Sequence, residues 1–135
     1  MHPMEALLLM LLDWLLSGLG RIPRVRVRAH RGVLLGSQEP SIFINVRNKS
    51  FAREFEITHV WIASDPPTHI LQESRPLPRR LKTDESWETW ITIAEIPEQY
   101  REEALTLGRV RLGNDKIIDS KAATGVPSGG FVPGA

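Results

Sequence analysis

The chain of 135 residues is one domain's worth, and its 41% hydrophobic and 24% charged content excludes collagen, low-complexity polymers and wholly disordered chains. Lys and Arg number 17 against 16 Asp and Glu, so the net charge of +1 gives no bulk attraction to nucleic acid. The absence of cysteine removes disulfides, thiolate metal sites and cysteine nucleophiles, and leaves the redox compartment open.

Charge is unevenly spread along the chain. Residues 1–20 carry Glu5 and Asp13 and no Lys or Arg. Arg21, Arg24, Arg26, Arg28 and Arg31 follow within eleven residues that contain no acid. A block of arginine thus directly succeeds an apolar block.

Met4 to Ile22 is dominated by Leu and Met, good helix formers, with Pro3 before them and Gly18, Gly20 and Pro23 as stop signals. A helix is expected over residues 4–19, within an apolar N-terminal unit, residues 1–22. The stretch from Met4 to Ile22 would span about 28 Å as helix, close to a bilayer core of about 30 Å. Four roles fit such a segment. One is a membrane span, which the many leucines favour and Asp13 opposes. Another is an in-plane or oligomerising helix, with Glu5, Asp13 and Ser17 on one face that Leu9 interrupts. The others are a cleaved signal peptide without a basic n-region and a helix covering the domain's own core. If the helix spans, the arginines that follow it place the domain on the cytoplasmic side.

From Arg24 the period becomes two. Val25, Val27 and Ala29 alternate with Arg24, Arg26, Arg28 and His30, which predicts a strand with valines inward and arginines outward. Ile42, Ile44 and Val46 form a second strand, and Phe55, Ile57, His59 and Trp61 the inward face of a third. The prolines at 66, 67, 76 and 78 predict a long loop or edge segment over residues 64–78, with Leu77 and Leu81 tucked into the core. Lys82 to Ser86 is a polar turn. Trp87, Thr89, Ile91 and Ile93 make a further strand, Pro97 to Ala104 one or two helical turns, and Leu107 to Ser120 a hairpin around Gly113-Asn114-Asp115. The tail, residues 122–135, is too rich in Gly and Pro to bury a core and is expected to be disordered.

These elements make six or seven strands in residues 23–121. Such strands need a second sheet to cover their apolar faces, which predicts an antiparallel β-sandwich of the immunoglobulin-like kind, about seven strands, without the intersheet disulfide. A resemblance supports this. The apolar helix, the strand Pro23-Arg24-Val25-Arg26-Val27, the strand ending Asn45-Val46-Arg47-Asn48, the element from Pro76 to Leu81 with Glu85-Ser86-Trp87, and the final pair from Gly108 to Lys121 follow one another in an order that resembles small bacterial proteins joining a membrane helix to an immunoglobulin-like sandwich. The resemblance covers residues 5–121 and brings no catalytic residues.

Candidate chemistry is sparse. His59, Asp65 and His69 are spaced H-x5-D-x3-H, which is not a recognised ligand spacing, and His59 reads as a strand histidine on the Trp61 face. The acidic pairs Glu54/Glu56, Asp84/Glu85 and Glu102/Glu103 fall on ordinary solvated positions. No nucleophile elbow, phosphate loop or dinucleotide turn occurs, so no cofactor and no enzyme activity are expected. Asn48-Lys49-Ser50 matches the glycosylation pattern. Of Trp87 and Trp90, one should anchor the core and the other, Trp90, should be open to a partner. Arg21, Arg24, Arg26 and Arg28 are the candidate contact with an anionic surface, or else a solvated row paired with Glu54 and Glu56.

The sequence therefore predicts a non-enzymatic, membrane-anchored sandwich that binds or scaffolds another protein. The alternative is a soluble assembly protein, such as a phage or cell-surface component, whose N-terminal helix packs in an oligomer. Neither reading involves a specific nucleic acid, and the protein partner and oligomeric state stay open.

Overall fold

The alternation that begins at Arg24 becomes nine strands in a computed structural model that describes residues 4–12 and 24–123. Residues 4–12 are helical. The expected helix beyond residue 12, Arg21, and the tail beyond Ala123 lie outside the described residues.

β1 (Val25–Val33) and β2 (Pro40–Asn48) form an antiparallel hairpin, joined through Leu34 to Glu39. Gly36 sits at φ +85° in that turn, a conformation L side chains rarely adopt, and Ser37 N–H closes it on the Leu34 carbonyl at 2.9 Å. β6 (Ser86–Thr92) pairs antiparallel with β2, and the short β9 (Lys121–Ala122) pairs parallel with β1, giving the sheet order β6-β2-β1-β9. The second sheet has the order β4-β3-β7-β8, from β4 (Thr68–His69), β3 (Phe55–Ile62), β7 (Gly108–Leu112) and β8 (Ile117–Asp119), with β5 (Arg79–Leu81) beside β4 on the edge of β3. Both sheets are open.

The core lies between the sheets. Val27, Ala29, Ile42, Ile44, Val46, Trp87 and Ile91 line one side, and Phe55, Ile57, Val60, Ile62, Leu81, Val110 and Leu112 the other. Ile70, Ile96 and Ala104 close it from the connections, and Val25, Leu77 and Ile93 pack against it half-buried. The expected helical turns after residue 92 are three short 3₁₀ pieces, Ile93–Glu95, Glu98–Tyr100 and Ala104–Thr106, so β6 ends before Ile93.

One facing expectation is overturned. The β3–β7 register shifts between Ile57 and His59, a β-bulge that resets the alternation. Val60 and Ile62 therefore point inward, while His59 is exposed and Trp61 is half-buried on the outer face. Period counting cannot detect one extra residue in a strand whose outer positions also hold large side chains.

Two buried polar residues join the sheets. Asn48 ends β2 and donates through Nδ2 to the Arg53 carbonyl at 2.8 Å and the Leu81 carbonyl at 3.1 Å, while its Oδ1 accepts from Ser50 N–H at 2.9 Å. Its carboxamide is fully engaged and buried, so the glycosylation pattern is sequestered in the fold. Ser120 stands where the chain passes from β8 to β9, that is, from one sheet to the other. Its Oγ accepts from Gly108 N–H at 2.9 Å and donates to the Leu105 carbonyl at 2.7 Å. A Cβ on Gly108 would come within 2.7 Å of that oxygen, so glycine is required there by close approach.

Candidate functional site

The outer face of the four-stranded sheet collects the polar residues that alternate with the core. Register sets them in rows across the strands. Arg26 lies opposite Arg47, which lies opposite Ser86. In the next row Lys121, Arg28, Asn45 and Glu88 face one another in turn, and in the third His30, Phe43 and Trp90.

The third row is aromatic. The His30 and Phe43 rings meet edge-on with centroids 5.2 Å apart, and Phe43 and Trp90 are tilted at 6.1 Å. Phe43 is buried, although it faces away from the core between the sheets. The segment between β4 and β5 folds over this edge. Gln72 Nε2 donates to the Trp90 carbonyl at 2.8 Å, and Arg75 Nε to the Glu88 carbonyl at 3.0 Å. The Arg75 guanidinium lies 5.3 Å from the Trp90 ring centroid, within cation–π range. Trp90 is thus half-buried and partnered rather than openly exposed, while Trp87 anchors the core as expected. The loop also satisfies outward carbonyls of β6, which blunts that sheet edge.

Between the loop and β6 runs a cleft of about 420 Å³ lined by Asn45, Ser74, Arg75, Arg79, Ser86 and Glu88, among others. Burial pushes the Glu88 carboxyl above its usual range, against the opposing pull of His30, a hydrogen bond from Asn45, and Arg75. His30 Nε2 is 4.0 Å from its carboxylate.

The expected arginine row divides. Arg24 is exposed, Arg26 and Arg28 are half-buried on the outer face, and Arg21 is outside the described residues. The proposed pairing with Glu54 and Glu56 does not form, because those acids belong to the other sheet; Glu54 pairs with Arg80 at 3.4 Å, and Glu56 is opposite Arg80 in register. Arg28 donates to the Val27 carbonyl at 3.1 Å. Arg47 was the residue missed on sequence reading. Its signal was present, since a hairpin between the Val25 and Val46 strands puts two arginines face to face.

His59, Asp65 and His69 do not assemble. His59 Nδ1 contacts Thr58 Oγ1 at 3.0 Å, and His69 lies against Trp61 with centroids 6.3 Å apart. Among the described residues no group of three or more His, Asp or Glu gathers to hold a metal ion.

In the N-terminal helix the large apolar side chains all stand in solvent. Met4, Leu7, Leu8, Leu9, Met10, Leu11 and Leu12 are each 50–70% exposed. No helix among the described residues is long and apolar enough to cross a membrane. No family model, no curated protein and no solved structure matches the chain.

Proposed function

We propose that this protein is a non-enzymatic, membrane-attached sandwich of the immunoglobulin-like kind that holds another protein. The observation that carries membrane attachment is the run of seven large apolar side chains exposed around residues 4–12. A helix that exposes so many large apolar side chains has no stable place in water and is covered by lipid or by protein. Nine helical residues span about 13 Å, enough to enter one leaflet. The immunoglobulin-like reading is supported by connectivity: β2 pairs with β6, β3 with β7, and β9 returns parallel to β1. The arginine-over-tryptophan pair of Arg75 and Trp90 supplies the residue types enriched at protein contacts.

Fractionation of cells expressing the tagged full chain tests the attachment. The chain should sediment with membranes, and Leu8→Glu with Leu11→Glu should release it. Recovery of the unaltered chain as a discrete oligomer in detergent-free buffer would instead support assembly through the helix.

A further inference from the structure

The basic residues of the second sheet have acidic partners. Arg79 meets Glu85 at 3.6 Å, Arg80 meets Glu54, Arg109 meets Asp119 at 3.1 Å, and Arg111 meets Asp115 at 2.6 Å. The open end of the β1–β2 hairpin differs. Arg26 and Arg47 stand directly opposite each other, which brings like charges to a Cβ separation of about 5 Å and is destabilising. Both Nε atoms are buried, and neither has a hydrogen-bond partner. Arg24 and Lys49 extend the same ladder, with Lys49 N–H donating to the Arg24 carbonyl at 2.7 Å. Among the described residues no acid pairs with Arg24, Arg26, Arg47 or Lys49. A cleft of about 370 Å³ opens there, lined by Arg24, Val25, Arg26 and Lys49.

Buried guanidinium N–H groups without acceptors are rare in native folds and call for an acceptor. An oxyanion meets both needs: its negative charge relieves the repulsion, and its oxygens accept from planar guanidinium donors in the geometry arginine favours. We propose that Arg26 and Arg47, rimmed by Arg24 and Lys49, bind a phosphate group. The favoured source is the headgroup of an anionic lipid. Arg24 lies twelve residues after Leu12, at most about 40 Å along the chain, so a lipid surface that takes residues 4–12 lies within reach of the site. Only the lipid source rests on the membrane reading above; the phosphate site itself does not. Arg28 is outside the site, because its row contains Asn45 and Glu88.

The test uses the full chain in low-salt buffer, with inorganic phosphate as probe and the arginine Nε–H resonances as readout. Phosphate should shift the Arg26 and Arg47 signals saturably. Arg47→Gln should weaken binding about tenfold or more, the loss expected for one charge-assisted contact, while Arg111→Gln leaves it unchanged. Without phosphate, Arg47→Gln should unfold at the same temperature as the unaltered chain or higher, and phosphate should raise the midpoint of the unaltered chain more than that of the variant. Absence of a saturable shift at Arg26 and Arg47 overturns the site. Flotation on phosphatidylcholine vesicles with and without phosphatidic acid separates the sources. A gain from phosphatidic acid that Arg47→Gln abolishes supports the lipid headgroup. Phosphate binding without that gain keeps the site and overturns the lipid source. Flotation without phosphate binding overturns the site while leaving the membrane reading intact.

Discussion

Asn48 and Glu88 show how one polar side chain can work for or against this fold. Asn48 uses both amide hydrogens and its oxygen in a buried position between the end of β2, the approach to β3 and the end of β5. Asn48→Ala leaves those backbone groups unsatisfied and should cost about 2–4 kcal/mol, read from the urea midpoint; a loss below about 0.5 kcal/mol would contradict the described network. Glu88 acts in the opposite sense. Burial raises its pKa above 4.5 in the fold, so between the unfolded and folded values the native state holds more protons than the unfolded chain. Stability from this group therefore falls as pH rises through that window, and the penalty is complete above it. Glu88→Gln should gain stability relative to the unaltered chain as pH rises from the ordinary carboxylate range toward neutrality. A difference that stays constant over that range would contradict the burial of the carboxyl.

Element boundaries were largely legible because binary patterning and turn residues agreed. The arginine–valine alternation of β1, the apolar positions of β2 and the Gly113-Asn114-Asp115 turn each point to one structure. The facing of β3 was not legible past Ile57. Its bulge depends on how β7 meets it, and Thr58, which bonds the Arg111 carbonyl at 3.2 Å, gives no local sign of that. The bulge makes a sharp prediction. Val60→Asp would bury an unpaired carboxylate and should prevent folding at a cost of several kcal/mol, whereas His59→Asp should stay within about 0.5 kcal/mol of the unaltered chain. The reverse order in thermal unfolding would restore the regular alternation. The phosphate site was half legible for a similar reason. The Arg24–Arg28 row is plain in the sequence, but the opposing Arg47 and Lys49 come from register, and register joins residues more than twenty positions apart.

At the scale of the whole molecule, the two shortest of the four passages between the sheets are residues 82–85, beside Asn48, and Ser120. Each of these two is held by a buried hydrogen-bonding side chain, so the sheets are covalently and polarly linked at opposite ends of the core. Gly108→Ala, which drives a methyl group against Ser120 Oγ and Ile44, should lower the thermal midpoint by several degrees, as about 1–3 kcal/mol of overpacking does in a domain of this size. The sandwich covers its own apolar faces; the helix of residues 4–12 does not. That asymmetry is the centre of the functional reading, and hydrogen exchange on the full chain tests it most directly, with and without phosphatidylcholine–phosphatidic acid vesicles. Residues 4–12 should exchange fast in buffer and slowly with vesicles, while the buried strands β2, β3 and β7 keep the same protection in both. Residues 4–12 already protected in buffer and unchanged by vesicles would contradict membrane attachment.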